Sequence, residues 1–256
     1  FIRQRIDQIK NFIDHPIETQ EGILFSQLFH AEDTEYGRLN GFKDISNYSD
    51  FQRNVPIVTY EDYEPFIEKA RQGCKDIIWP GQIRQFAKSS GTTNAKSKYI
   101  PISDESLEDC HYKAGKDLIS IYVNNHPESG LFQHKNLRLG GSSEMYQDYN
   151  TKFGDLSAIL IENLPFWVEI INTPSKKVSL MTEWETKIKA IISEVKAEDV
   201  GSLTGVPSWM MVLLQRVLKE TNHQNITELW PNLEVFFHGG ISFKPYKDQY
   251  QTLMGN

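Results

Sequence analysis

The stretch VGSLTGVPSWMMVLLQRVLKETNHQNITELWPNLEVFFHGG, residues 200–240, decides the fold. Its apolar pattern predicts a strand, a helix and a second strand, over 200–204, 208–218 and 233–237. Pro207 is suited to the first turn of that helix. A strand, a helix and a strand in this order form a parallel βαβ unit, so we predict an α/β fold. Ligands of open α/β sheets bind beyond the carboxyl ends of the strands, which places GVPSW and HGG beside a candidate site.

The predicted secondary structure changes near residue 80 from helices to strands. Before it, apolar residues recur at helical spacing, as Ile2, Ile6 and Ile9 do, and these helices are expected to pack on the rest as a lid. After it, IRQFAK and KYIPIS are predicted to be two strands around the polar loop SSGTTNAKS. We therefore predict a helical segment over 1–80 and an α/β domain over 81–256.

Capping residues predict where three further helices begin. Thr59 precedes one whose buried face carries Tyr60, Tyr63, Phe66 and Ile67, and which ends at Gly73. Thr182 and Glu185 form the pattern of a capping box. Ser103 precedes a long helix. Its predicted buried face consists of Leu107, Cys110, Ala114, Leu118 and Ile121.

Composition excludes several classes of protein. The 256 residues carry a net charge of -7, and no block of Lys and Arg is long enough for a nucleic-acid-binding arm. The two cysteines lie far apart, which predicts reduced thiols. The start of the chain has no apolar core of a signal peptide, and no apolar run reaches the length of a membrane span. These features predict a cytoplasmic protein, and they leave the oligomeric state open.

The segment from Ser89 to Lys98, SSGTTNAKSK, has the composition of a phosphate-binding loop. Gly91 allows close backbone approach, hydroxyl groups donate to phosphate oxygens, and a lysine supplies a compact positive charge. It is not a Walker loop, because that motif's second glycine and following helix are lacking. An ordinary polar hairpin loop remains the alternative.

With the rest of the chain, this loop resembles a known family. The stretches that carry the resemblance are DTEYGRLNGF, FQRNVPIVTYEDYEPFIEKARQG, FAKSSGTTNAKSKYIPIS, GDLSAILIENLPFW and WPNLEVFFHGG. They are similar to bacterial-type members of the auxin-responsive promoter family (Gretchen Hagen three family), the acyl-acid amido synthetases of the adenylate-forming superfamily. The resemblance implies the large N-terminal domain of the acyl-ligase, luciferase-like fold.

The resemblance also implies a reaction. Members of the family use ATP, with Mg²⁺, to convert a carboxylic acid into an acyl-adenylate, and an amine, typically an amino acid, then displaces AMP to give an amide. The expected partners are therefore a small carboxylic acid and an amine. No spacing of His and Cys predicts a resident metal site, so Mg²⁺ is expected to arrive with ATP.

Site residues follow from the same resemblance. The phosphates would be bound by Ser89, Ser90, Gly91, Thr92 and Thr93, with Lys98 or Lys96 as the cation. Where the superfamily usually has a glycine, this chain has Asn94, which tolerates a left-handed turn. Adenine would be lined by His238, Gly239 and Gly240, unless these form a simple strand-to-loop turn.

Val206 and Trp209 would contact the acyl group, although much of their helix is expected to be core. Gly140, Gly141, Ser142 and Ser143 form a further turn that could approach the site. Glu61 and Asp62 are expected to lie on a solvated helix face.

The family continues beyond HGG with a Tyr-rich Ser-Glu motif, a ribose-binding Asp and a mobile C-terminal domain. None of these is in the chain, so we expect it to be truncated and inactive by itself. Two other functions stay open: a coenzyme A ligase or related adenylating enzyme, and a nucleotide-binding protein without catalysis. The identity of the acid and of the amine cannot be read from the residues.

Overall fold

The computed structural model describes residues 2–89, 97–140 and 145–255. The helices in chain order are α1 Ile2–Asp14, α2 Pro16–Ala31, α3 Glu35–Leu39, α4 Tyr48–Asn54, α5 Tyr60–Arg71, α6 Lys113–Asn125, α7 Leu156–Glu162, α8 Phe166–Ile171, α9 Lys176–Ser179, α10 Trp184–Val195, α11 Pro207–Thr221, α12 Ile226–Leu229 and α13 Lys247–Met254. The strands are β1 Gln85–Lys88, β2 Tyr99–Ile102, β3 Lys135–Leu139, β4 Met145–Asp148, β5 Thr151–Gly154, β6 Asn172–Thr173, β7 Val200–Gly205 and β8 Val235–His238. Short 3-10 turns cover Phe42–Asp44 and Lys244–Tyr246.

The chain forms two compact units. The first unit contains residues 1–125 and 145–156, and the second unit contains residues 126–144 and 157–256. Helices α1–α5 before residue 80 and strands β1 and β2 after it lie in the same first unit. The division into domains at residue 80 stays a prediction.

The first unit is built on a mixed sheet of order β2-β1-β5-β4, in which β1 pairs antiparallel with β2 and parallel with β5. The buried face of α5 packs on this sheet through Ile67 and Ala70, which cluster with Phe86 of β1. The predicted cap of α5 is confirmed: Thr59 and Asp62 exchange side-chain-to-backbone hydrogen bonds in a capping box. Helix α1 is joined to α6 by the ion pair of Arg5 and Asp117.

The buried face predicted for the long helix after Ser103 is wrong beyond its first turn. Ser103 does accept a hydrogen bond from the Ser106 amide, and Leu107 is buried. Residues Ser106–Tyr112, however, form a π-helical stretch before α6 begins. Its wider turn shifts the register, so Leu118 is 50% exposed whereas Ser120 is fully buried. The same shift leaves Cys110, Ala114 and Ile121 exposed.

The second unit is a parallel sheet of order β6-β3-β7-β8. Strands β7 and β8 are joined through α11, which confirms the predicted βαβ unit. One sheet face packs against α10 and α11 in a core that includes Leu137, Leu203, Ile188 and Leu213. The fold is thus a mixed α/β fold, as predicted.

The start of α10 differs from the prediction. Its N-cap is Glu183, whose carboxylate accepts hydrogen bonds from the backbone amides of Glu185 and Thr186 at 3.0 and 2.7 Å. The predicted capping box of Thr182 and Glu185 is therefore wrong. A carboxylate at a helix N-terminus is stabilised by the helix dipole as well as by the amides that donate to it.

Both cysteines are free thiols. In the described parts of the chain, no helix has the length and apolar character needed to cross a membrane.

Candidate functional site

The base of the hydroxyl-rich loop is a closed hairpin. Strands β1 and β2 end with Lys88 opposite Tyr99, and the next pair outward is Ser89 and Lys98. The Ser89 amide donates to the Lys98 carbonyl at 2.9 Å, and the Lys98 amide donates to Ser89 Oγ at 3.0 Å. The structure thus places these two predicted site residues side by side. The other predicted loop residues lie outside the described residues: Ser90, Gly91, Thr92, Thr93 and Lys96.

The first turn of α5 contacts the Lys98 ammonium group. Lys98 Nζ lies 3.2 Å from Glu61 Oε1 and 4.7 Å from the centre of the Tyr60 ring. The Tyr60 hydroxyl accepts a hydrogen bond from the Tyr99 amide at 2.8 Å, which fastens α5 to the edge strand β2. The Lys98 side chain nevertheless stays 42% exposed. The ammonium group therefore remains accessible to an anion.

The pKa of Glu61 is consistent with its contact with Lys98. The pKa of Glu61 is lowered, first by its own backbone hydrogen bond and then by Lys98. Sequence reasoning missed Glu61 as a partner of Lys98 and treated it as part of a solvated helix face. No local pattern links the two residues, because the first turn of α5 and the start of β2 meet only in the folded first unit.

An open surface pocket of about 430 Å³ adjoins the base of the loop through Tyr60. Its walls are mainly apolar and aromatic, and they include Tyr36, Pro56 and Tyr63. Burial raises the pKa of Tyr63 to about 12.

The second predicted cluster lies at the carboxyl edge of the parallel sheet in the second unit. Gly205 pairs with Leu139 on one side and with His238 on the other, so three strands end together. A side chain at Gly205 would approach the Leu139 carbonyl to 2.9 Å, which explains the glycine. Gly240, with a φ of +82°, lies against Val206: an added Cβ would be 3.3 Å from Val206 Cγ2. Val206 and Gly240 are thus neighbours.

The other two residues of the HGG segment are open to solvent. Gly239 has no atom within 4 Å of an added Cβ. His238 is exposed, and its ring stacks on Phe243 at 4.7 Å. The HGG backbone is thus accessible from the sheet edge.

Trp209 lies on the exposed side of α11. It is 51% exposed and contacts the ring of Trp184 edge-on at 4.9 Å. Met210 and Leu213 on the same helix are fully buried, as predicted for a largely core helix. Gly140 follows β3 at the same sheet edge, whereas Gly141, Ser142 and Ser143 lie outside the described residues.

A polar network lies on the sheet face opposite the apolar core, and sequence reasoning missed it. Asn136 Oδ1 accepts hydrogen bonds from Ser202 at 3.2 Å and from Thr204 at 3.0 Å. Arg138 Nη2 lies 3.7 Å from Glu169 Oε1. Burial lowers the pKa of Arg138, and the nearby carboxylate of Glu169 raises it by a smaller amount. The alternation in KNLRL, residues 135–139, is the signal that could have revealed two different sheet faces.

Among the residues that the structure describes, no group of three or more His, Cys, Asp or Glu side chains is arranged to hold a metal ion.

Comparison with known proteins decides the family. The model of the GH3 family N-terminal domain matches residues 5–256. The chain belongs to the GH3 family. GH3 relatives include the jasmonoyl–L-amino acid synthetase JAR6 of Nicotiana attenuata, which is 34% identical over 40% of this chain and 18% of its own length. The indole-3-acetic acid-amido synthetase GH3.15 of Arabidopsis thaliana is 38% identical over 36% of this chain and 15% of its own length.

Solved GH3 structures share the fold. The structure of the GH3.15 acyl acid amido synthetase aligns with a TM-score of 0.78 and 14% identity over 98% of this chain. The alignment covers 53% of the GH3.15 chain. This GH3 chain therefore spans about half the length of its solved relative.

Proposed function

We propose that this chain is the ATP-handling part of an acyl-acid amido synthetase. The enzyme would join a carboxylic acid to an amine, with an amino acid as the expected acceptor. Membership of the GH3 family, whose named relatives are amido synthetases, supports this reaction class. The observation that carries the assignment of the phosphate site is the pairing of Ser89 and Lys98 at the base of a hydroxyl-rich loop.

The reaction would proceed in two displacements. A carboxylate oxygen attacks the α-phosphorus of ATP, and pyrophosphate leaves. The amine nitrogen then attacks the acyl carbon, and AMP leaves. A carboxylate needs this activation because its own oxygen is a poor leaving group, and catalysis consists mainly of stabilising charge on the phosphates.

Lys98 is proposed to supply that stabilisation, since its ammonium group is a compact charge that can donate three hydrogen bonds. Ser89, Ser90, Gly91, Thr92, Thr93 and Lys96 are proposed to bind the same phosphates. Mg²⁺ would be held mainly by the phosphates and would neutralise part of their charge.

In the second unit, His238, Gly239 and Gly240 are proposed to line the adenine, and Val206 and Trp209 to contact the acyl group. The exposed HGG backbone and the exposed Trp209 ring are compatible with these roles. Both assignments rest on the family resemblance.

Carboxylate-dependent exchange of labelled pyrophosphate into ATP tests the proposal. The complete gene product is assayed with a panel of aliphatic and aromatic acids. We expect one class of acid to support exchange, and Lys98→Met to lower the rate by about 10²-fold or more, as loss of one charge-stabilising group typically does. Ser90→Ala is expected to lower it as well.

Lys88→Met is the matched control, because Lys88 is an exposed lysine near the end of β1 that has no proposed role in the site. It is expected to keep the exchange rate of the unaltered protein. Measurable ATP binding without exchange for any acid would contradict the adenylation step and favour a non-catalytic nucleotide-binding protein.

A further inference from the structure

We propose that Glu61 competes with the phosphate groups of the nucleotide for the Lys98 ammonium group and thereby lowers the affinity of the protein for the nucleotide. The inference rests on the proposed phosphate role of Lys98. It assigns a function to a helix, α5, that lies outside the loop itself.

The geometry makes the Lys98 side chain the movable part of the contact. The backbone of Lys98 is held by two hydrogen bonds with Ser89. Tyr60 is held by its hydroxyl group on the Tyr99 amide, and the Thr59–Asp62 capping box holds the first turn of α5. The ammonium group can therefore exchange partners by side-chain rotation alone, without moving either main chain.

The contact is also weak enough to be displaced. The Lys98 side chain is 42% exposed and the Glu61 side chain is 68% exposed. Ion pairs with this exposure contribute little, because water solvates both charges. A polyphosphate carries several negative charges, so it attracts the ammonium group more strongly than one carboxylate does.

Tyr60 keeps the ammonium group beside the paired residues Ser89 and Lys98 while this exchange takes place. The ring face lies 4.7 Å from Lys98 Nζ, within the range of a cation–π contact. Unlike Glu61, the ring carries no net charge and does not compete strongly with an anion. The dipeptide of Tyr60 and Glu61 thus combines a positioning group with a competing group.

The test is calorimetric titration of the complete gene product with ATP at fixed ionic strength. Glu61→Gln is expected to lower the dissociation constant about two- to five-fold, the range that corresponds to loss of one exposed ion pair. Glu64→Gln removes the same charge from another exposed position on α5 and is expected to have a much smaller effect. In a Lys98→Met background, Glu61→Gln is expected to leave the dissociation constant unchanged.

Different outcomes overturn different statements. Absence of ATP binding by the unaltered protein contradicts the proposed function itself. ATP binding that is weakened or unchanged by Glu61→Gln contradicts only the competition. The competition is also contradicted if Glu61→Gln increases the affinity for ATP equally in the unaltered protein and in the Lys98→Met variant. The Glu61 carboxylate would then act on the nucleotide directly. Thermal melting of each variant checks that the fold is retained.

Discussion

At the residue scale, Gly37 is where one added carbon conflicts with the fold. It lies in α3, and a Cβ there would overlap the carbonyl oxygen of Ala31 at the end of α2. The same turn is fastened by Thr34, whose hydroxyl accepts from the Gly37 amide at 3.0 Å and donates to the Ala31 carbonyl at 2.7 Å. The close approach of these two backbones therefore requires glycine.

Gly37→Ala is expected to lower the free energy of unfolding by about 1–3 kcal/mol, the usual cost of forcing an atom into a packed region. Gly22→Ala is the matched control, because Gly22 lies in α2 with no atom within 4 Å of an added Cβ. It is expected to raise the free energy by about 0.5–1 kcal/mol, since alanine loses less backbone entropy than glycine. Urea unfolding measures both, and equal effects of the two substitutions would contradict the proposed overlap.

At the scale of elements, Asp199 ties together the amino ends of three neighbouring strands. Its carboxylate accepts from Asn232, which precedes β8, at 3.1 Å and contacts His134 Nδ1, just before β3, at 2.8 Å. Its carbonyl accepts from the Lys135 amide at 2.8 Å. The side-chain contacts, that of Asn232 first and that of His134 next, lower the pKa of Asp199.

This lowered pKa predicts a pH dependence of stability. The unfolded state binds a proton near pH 3.9, above the folded pKa, so the stabilisation is present above that pH and is lost as the pH falls through the folded pKa. Asp199→Asn is therefore expected to be less stable than the unaltered protein at pH 7, with a difference that narrows below about pH 4. Urea unfolding from pH 7 to pH 2.5 measures the difference.

Glu220→Gln, which removes one exposed carboxylate of α11, controls for the loss of a surface charge. If the difference in the free energy of unfolding between Asp199→Asn and the unaltered protein stays constant over the whole pH range, the lowered pKa of Asp199 does not contribute to stability.

At the scale of the whole molecule, each of the two compact units has its own buried residues. Leu213 is fully buried in the core of the second unit, and Ile67 is 3% exposed in the core of the first unit. The chain crosses between the units three times, after residues 125, 144 and 156. A local defect is expected to loosen mainly the unit that contains it, because cooperative opening follows packed cores.

Leu213→Ala is expected to lower the free energy of unfolding by about 2–5 kcal/mol, as other leucine-to-alanine substitutions in protein cores do. The rate of amide hydrogen exchange, measured by mass spectrometry, should then rise in peptides from α10 and α11 and stay unchanged in peptides from α5 and β1. Ile67→Ala should produce the reverse pattern. Equal increases in both units for either variant would show that the two units unfold as one.

Local patterns by themselves determined a large part of this protein. The period of apolar residues predicted α5, α11, β7 and β8, and strand-forming residues on either side of a polar segment predicted the two strands that flank the hydroxyl-rich loop. Helix and strand periods, capping residues and turns act over a few neighbouring residues, so they can be read directly from the chain. The five stretches that resemble the GH3 family could also be recognised directly in the sequence.

Only the tertiary structure decided how distant groups meet. The contact of Glu61 with Lys98, the network around Asn136 and the tie at Asp199 each join segments that no local pattern relates. The π-helical stretch before α6 changed a predicted buried face, because its turns hold more residues than the α-helical turns that the apolar spacing assumes. Long-range contacts are selected by the packing of the whole unit, and for that reason they become visible only once the chain is folded.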